Sequence, residues 1–291
     1  STITVNPSPS IPAASLNTCS GVTFNYSPQN GVPNANTIVP IGTTYTWTAP
    51  VVTGGLSGGS AQNVPQNSIS QTLTNPTNVT QTATYTITPT SGNCTGVPFT
   101  LTVTLNPIPT IAAQNTTSCS GVAFTVVPSN VANVIPAGTS YSWPTPIVTG
   151  NLVGGTAANN QGTISQTLNN PTNVLQTAQY TVTPNAGLNC FGSPFIVTVT
   201  INPVPIISAQ TQTICSGGSF TITPSNNQPS TIVPNNTTYS WVLPISNPLN
   251  SINGGASGNN SNNISGTLTN TLNSTATQTY IVTPTSGAAG A

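Results

Sequence analysis

The sequence predicts an all-β protein built from tandem domains of roughly 100 residues, and two observations support this prediction. Landmark motifs recur along the chain every 95 to 100 residues. Between these landmarks, apolar and polar residues alternate with the period of two that is typical of half-buried strands. A repeat of this length corresponds to a whole domain and is too long for one unit of a solenoid.

Four motifs define the repeat. The first copy contains CSG from Cys19, TYTW ending at Trp47, ISQTLTNPTN over 69–78 and YTITP from Tyr85. The other copies keep this order, with CSG at 119 and 215, tryptophan at 143 and 241, ISQTLNNPTN at 164–173, ISGTLTNTLN at 264–273, YTVTP at 180 and YIVTP at 280. We therefore divide the chain into a first repeat (8–107), a second repeat (108–203) and a third repeat (204–291).

Alternation within each repeat indicates the strands. Residues 99–105 read FTLTVTL, which places the apolar residues on one face and threonine on the other. Threonine is β-branched and so keeps strand propensity on a wet face. In the first repeat the pattern predicts strands near 11–15, 23–27, 43–48, 68–74, 82–88 and 98–105. Six or seven antiparallel strands in this length predict immunoglobulin-like β-sandwich domains joined head to tail, and no segment has helical spacing.

The chain contains no Asp, Glu, Lys, Arg or His. General acid–base catalysis needs such a group, and a serine or cysteine nucleophile needs one beside it as a base. Hard cations need carboxylates, and nucleic acids and anionic membranes need Lys or Arg. We therefore expect no enzyme, no catalytic residue, no cofactor, no metal site, no nucleic-acid partner and no membrane insertion.

Residues 1–7 match the last strand of a repeat, since TITVNPSP at 2–9 corresponds to the segment that ends in NPIP at 106–109. The third repeat has no matching last strand. Two interpretations stay open: the chain is a window on a longer array whose partners are flanking repeats, or copies polymerise head to tail. In the second case Thr2, Ile3, Thr4 and Val5 form a donor strand that completes the third repeat of a neighbour.

The five cysteines indicate an oxidising compartment if they are paired. Cys19, Cys119 and Cys215 precede the second strand of their repeats, and Cys94 and Cys190 lie between the last two strands. Pairing within repeats, Cys19 with Cys94 and Cys119 with Cys190, is the preferred interpretation. The alternative is a bond between successive repeats, Cys19 to Cys190. In a standard sandwich the loop before the second strand and the loop between the last two strands lie at opposite ends of one domain, whereas the ends of neighbouring domains abut. In either case Cys215 is unpaired or intermolecular, since the position that matches its partner is Ala289.

The three tryptophans, Trp47, Trp143 and Trp241, occupy the strand where sandwich domains bury a core tryptophan. We therefore expect them in the core, although exposed aromatics would favour stacking on glycans. The NPxP segments are expected to be stiff joints between domains, because proline fixes φ. A glycine-rich segment at 54–59 is a candidate loop for binding surface glycans, and rows of Thr-x-Thr are a candidate ice-binding surface.

The succession CSG, TYxW, ISQTLTNPTN, TYTVTP-like and CxGxPFxVTVTxNPxP resembles the PKD-like, immunoglobulin-like repeats of Bacteroidetes secreted surface adhesins. The resemblance covers nearly the whole chain and implies export, display at the cell surface and no catalytic residues. The sequence thus predicts a structural segment of an extracellular filament or stalk-like adhesin. The alternatives are a carbohydrate- or surface-binding module and an ice-binding protein.

Overall fold

A computed structural model describes residues 1–287, and these residues form strands and loops without a helix. They divide into two compact units, and each unit combines whole or partial sequence repeats. Unit 1 comprises Ser1–Ala112, Pro128–Tyr141 and Thr183–Pro194. Unit 2 comprises Ala113–Val127, Ser142–Val182 and the residues from Phe195 onward.

The first repeat, in unit 1, contains nine strands: β1 (Ala14–Cys19), β2 (Thr23–Tyr26), β3 (Thr44–Trp47), β4 (Val51–Val52), β5 (Gln62–Gln66), β6 (Ile69–Thr72), β7 (Gln81–Ser91), β8 (Cys94–Thr95) and β9 (Phe99–Asn106). One sheet has the order β1-β9-β7-β3-β5, with β4 and β8 also paired to β7, and the other sheet pairs β2 with β6. The apolar face of β9 is buried, with Leu101, Val103 and Leu105 fully enclosed. The predicted sandwich is confirmed.

The first and last strands of the repeat, β1 and β9, run parallel, whereas the other pairs in the sheet are antiparallel. The register places Ala14 beside Leu101 and Cys19 beside Asn106. The first strand was predicted over 11–15, but β1 begins at Ala14, which pairs with Leu101, and residues 11–13 belong to no strand. Cys19 therefore ends the first strand instead of lying in the loop before the second.

The second repeat contains eight strands: β10 (Gln114–Cys119), β11 (Ala123–Val126), β12 (Ser140–Trp143), β13 (Ile147–Val148), β14 (Ala158–Gln161), β15 (Ile164–Thr167), β16 (Gln176–Asn185) and β17 (Phe195–Asn202). Within unit 2, β10 lies parallel to β17, and β17 lies antiparallel to β16. This arrangement repeats that of β1, β9 and β7. Cys119 consequently lies beside Asn202, as Cys19 lies beside Asn106.

The third repeat, also in unit 2, contains β18 (Gly218–Ile222), β19 (Thr238–Trp241), β20 (Ile245–Asn247), β21 (Ile252–Asn253), β22 (Gly258–Ser261), β23 (Ile264–Asn270), β24 (Thr277–Thr279) and β25 (Val282–Thr285). Strand β25 pairs with β19 and β24 pairs with β20. Up to residue 287, no strand occupies the place that β9 has beside β7. The core is correspondingly small, with Phe220, Tyr239, Trp241 and Ile264 as its buried members.

Candidate functional site at the repeat junctions

No group of three or more Cys, His, Asp or Glu side chains lies together in the part of the chain that the structure describes. Over the same residues, there is no helix with the length and apolar character needed to cross a membrane. The features that recur between repeats are the tryptophans, the glycine-rich segment, the ISQTLTNPTN motif, the cysteines and the NPxP segments.

The tryptophans lie in the core of each repeat. Trp47, Trp143 and Trp241 are 4–9% exposed. Each indole Nε1–H donates a hydrogen bond to a backbone carbonyl, as Trp47 does to Ser60 at 3.1 Å. A buried ring with its polar atom satisfied stabilises the sandwich and offers no face to a glycan.

The glycine-rich segment packs against its own domain. Gly58 has a φ of +90°, and a Cβ at this position would overlap the carbonyl oxygen of Thr72. Gly154 and Gly254 have the same conformation and the same close approach, to Thr167 and Thr267. Glycine is required there because only a residue without Cβ allows the backbones to approach this closely. This packing accounts for the glycines without a ligand.

The ISQTLTNPTN motif forms a corner whose centre is the buried side chain of Asn75. Its Nδ2 donates to the carbonyls of Val79 at 2.8 Å and Leu105 at 3.1 Å, and its Oδ1 accepts from the backbone N–H and the hydroxyl of Thr77. The Ser20 hydroxyl of the CSG motif accepts from the Asn75 backbone N–H. The motif therefore ties the CSG turn to the end of β9.

The same corner exists in the second repeat, where Asn170 donates to Val174 and to Ile201, the residue equivalent to Leu105. In the third repeat Asn270 donates to Ser274. No bond from Asn270 to a last strand is formed within residues 1–287, because that strand is not among them. The motif is recognisable in the sequence by its recurrence, but no sequence signal assigns a role to this asparagine.

The disulfide joins Cys19 of the first repeat to Cys190 of the second, with a Cα–Cα distance of 5.5 Å, and both residues lie in unit 1. The preferred pairing within repeats is therefore wrong, and the alternative between successive repeats is the one formed. The reason is the parallel pair β1–β9. Cys19 lies beside the last residue of β9, whereas Cys94 precedes its first residue. An eight-residue strand spans roughly 25 Å, well beyond the ~7 Å Cα limit of a disulfide.

The first junction, at NPIP, is tightly packed. Pro107 and Pro109 are buried, and the carbonyl oxygen of Pro109 lies so close to Gly192 that a Cβ there would overlap it. Thr110 and Val134 form a two-way backbone bridge directly after the prolines. Gly192 also donates its N–H to Pro184 at 2.9 Å. Together with the disulfide, these contacts hold residues 183–194 against the end of the first repeat within unit 1.

Residues 6–9, with the sequence NPSP, contact the first repeat in the same manner. The carbonyl oxygen of Pro9 lies against Gly96 as that of Pro109 lies against Gly192, and Gly96 donates to Pro89 at 2.9 Å. The Cys94 thiol lies 3.9 Å from the carbonyl oxygen of Asn6. Cys94 thus has the place beside NPSP that Cys190 has beside NPIP.

The other cysteines differ in exposure. Cys94 is half-buried and Cys215 is exposed, and neither belongs to the disulfide. Cys119 lies at the end of β10 beside Asn202. Ala289, the position matched to a second cysteine of the third repeat, lies outside the described residues.

The predicted donor strand is present as an exposed segment. Ile3 and Val5 are 87% and 85% exposed, and residues 1–9 pair with no strand. Their equivalents on β9, Val103 and Leu105, are fully buried. In the third repeat, Tyr280 is half-buried although its equivalents in the other repeats are fully enclosed, and Ile281 is 70% exposed.

Buried tyrosines are the side chains that link proton binding to folding. Burial raises the pKa of Tyr85 and of Tyr180 to about 12. The folded state therefore keeps its phenolic protons between pH 10 and 12 while the unfolded chain loses them, so the free energy of unfolding falls as the pH rises through that window.

We expect the melting temperature to stay constant within a few degrees from about pH 4 to 8, because no carboxylate, imidazole or ammonium side chain titrates there. Above about pH 10 it should fall. Calorimetry across a pH series measures both regions. A change of more than a few degrees between pH 4 and 8 would contradict this expectation.

Residues 16–109 and 116–205 match the family profile of the PKD-like domain. The two matches together cover more than half of the chain, which therefore belongs to the PKD-like domain family. No curated protein sequence matches the chain.

Among solved structures, the chain is similar to SporoSAG from Toxoplasma gondii, with 9% identity and a TM-score of 0.26 over 68% of this chain and 100% of that one. It is similar to the human desmocollin-1 ectodomain, with 12% identity and a TM-score of 0.32 over 91% of this chain and 53% of that one. The insect immune protein hemolin gives 12% identity and a TM-score of 0.31 over 81% and 62%. TM-scores this low carry no information on function.

Proposed function

We propose that this chain is a structural segment of an extracellular cell-surface filament or stalk-like adhesin, in which folded repeats set length and bear load. The observation that carries the proposal is the Cys19–Cys190 disulfide, which fastens the first repeat to a loop of the second. Such bonds persist in oxidising, exported environments. A chain without acidic or basic side chains has little means of catalysis, but a mechanical role does not need them.

The packed joints support this role. A flexible linker would expose its prolines and make few hydrogen bonds, whereas Pro107 and Pro109 are buried. In unit 2 the NPVP segment has Asn202 and Pro203 buried, and Ile206 forms a two-way backbone bridge with Ile232. Gln228 of the third repeat also donates to Asn173 of the second at 3.0 Å. Ordered segments between repeats suit a spacer.

The partner in this proposal is a second copy of the chain. Residues 2–5 of one copy would lie beside β24 and β25 of another, where β9 lies beside β7 in the first repeat. By that register, Ile3 enters the place of Val103 and Val5 the place of Leu105. Burying each of these side chains is worth about 1.5–3 kcal/mol.

Two further groups find partners in this arrangement. The amide of Asn270 would donate to the carbonyl of Val5, as Asn75 donates to Leu105. Residues 207–215 form no strand in the third repeat, although the equivalent β1 and β10 pair with a last strand. A donated strand would supply the missing edge for this segment.

Replacing both apolar residues of the donor strand, Ile3→Asn with Val5→Asn, should abolish assembly by removing the buried face without adding charge. The matched control is Thr2→Asn with Thr4→Asn, which changes the opposite face of the same segment. Light scattering after size-exclusion chromatography, in reductant, measures the assembled mass, and electron microscopy shows whether threads form. The wild type and the control should form head-to-tail oligomers.

Equal assembly of both double variants would rule out strand donation. A wild type that stays monomeric at high micromolar concentration would rule it out as well. The spacer role itself is tested by measuring the force that is needed to stretch and unfold the chain.

A further inference from the structure

We propose that Cys215 of one copy forms a disulfide with Cys94 of the next copy, so that each junction between copies carries the same kind of covalent bond as the first junction within the chain. The inference rests on the proposed head-to-tail assembly and names the residues that would lock it. It extends the observed Cys19–Cys190 bond by two register relations that the structure contains.

The first relation concerns the cysteine at the end of the first strand. Cys19 lies beside Asn106 and Cys119 beside Asn202, so in both complete repeats this cysteine is paired with the asparagine of NPxP. Cys215 is the corresponding cysteine of the third repeat. A donated strand that ends in Asn6 would therefore bring Asn6 beside Cys215.

The second relation concerns the cysteine after the NPxP segment. Cys190 belongs to the loop whose Gly192 lies against Pro109, and Cys94 belongs to the loop whose Gly96 lies against Pro9. The thiol of Cys94 is already 3.9 Å from the carbonyl of Asn6. Because Asn6 contacts both cysteines in the assembly, Cys215 and Cys94 meet as Cys19 and Cys190 do, at a Cα–Cα distance near the 5.5 Å observed there.

Both thiols are open to reaction, since Cys215 is exposed and Cys94 is half-buried. The bond forms by thiol–disulfide exchange with a small disulfide oxidant such as oxidised glutathione. One protein thiolate attacks the oxidant and releases one reduced glutathione. The second protein thiolate then attacks the mixed disulfide and releases another. Two protein thiols are thereby oxidised and one glutathione disulfide is reduced to two thiols.

The test uses the full chain, oxidised glutathione and two single variants, Cys94→Ser and Cys215→Ser. On non-reducing gels the wild type should give a ladder of covalent oligomers, and each variant alone should stay monomeric. An equal mixture of the two variants should give dimers and nothing larger, because each molecule then contributes one competent end. Mass spectrometry after pepsin digestion, which needs no basic residue, should find the Cys94–Cys215 peptide pair.

Dimers from Cys215→Ser alone would show a symmetric Cys94 bond and overturn the assignment, as would a ladder that persists in either variant. Assembly of the wild type in reductant is measured in parallel by light scattering. Oligomers in reductant without a covalent ladder in oxidant overturn the disulfide and leave strand donation intact. Absence of both overturns the assembly and the disulfide together.

Discussion

A single molecule stretched between its two ends without reductant will reach a fully unfolded length about 600 Å shorter than the same molecule after reduction. The Cys19–Cys190 bond has a sequence separation of 171 residues, and an extended chain spans roughly 3.3–3.6 Å per residue. Force unfolds the domains but does not lengthen the segment enclosed by the bond. Most of the first two repeats is thus protected from extension.

Single-molecule force spectroscopy measures this difference directly. The double variant Cys19→Ser with Cys190→Ser should show the longer length with or without reductant. Cys94→Ser keeps the bond and should behave as the wild type. If the wild type reaches the same length in both conditions, the bond does not form between these repeats. In the chain-entropy description, closing a loop of this size contributes about 5 kcal/mol to stability, so the double variant should also melt earlier.

The change Asn75→Asp should destabilise the first repeat by about 3–5 kcal/mol at pH 7. Asn75 is 5% exposed, and its Nδ2 donates to the carbonyls of Val79 and Leu105. A carboxylate oxygen in that place cannot donate and leaves a buried charge facing two carbonyl oxygens. For a domain of about 100 residues this corresponds to a fall in melting temperature of at least 12 °C.

The destabilisation by Asn75→Asp should depend on pH, whereas the stability of the wild type is expected to be constant from about pH 4 to 8. Burial raises the folded-state pKa of the new carboxyl above the ~3.9 of an unfolded aspartate. The folded state then holds the proton more tightly, so stability is greatest below about pH 4 and falls as the pH rises. Asn78→Asp, an exposed position of the same motif, is the matched control. Calorimetry of both variants decides the matter, and equal melting temperatures at pH 7 would contradict a buried role for Asn75.

Much of the fold could be predicted because burial imposes alternation on the sequence. The alternation in residues 99–105, FTLTVTL, predicted β9, and the apolar residues of this segment are the buried ones. Strand β5, with the sequence QNVPQ, was not predicted because its side chains are mainly exposed and polar. The parallel pairing of β1 with β9 was also missed, since β1 alternates only weakly and its partner lies at the other end of the repeat.

The candidate site could be predicted only in part. Spacing identified the cysteines and NPxP segments, but the connectivity depends on which end of β9 each cysteine occupies. That position follows from a strand register between distant residues. The role of Asn75 could not be predicted for a similar reason. One of its partners is the backbone carbonyl of Leu105, and the position of a backbone carbonyl cannot be read from residue types.

The parallel pair of β1 and β9 also sets the order in which parts of this chain can fold. Because β1 pairs with the last strand of its own repeat, the domain closes only when the end of that repeat is available. Contacts between such distant segments are slow to form. If the chain emerges from a ribosome or an export channel with its amino terminus first, β1 stays unpaired until β9 has emerged. The first repeat would then close just as the second begins to emerge, and the Cys19–Cys190 bond would form later, once Cys190 has emerged.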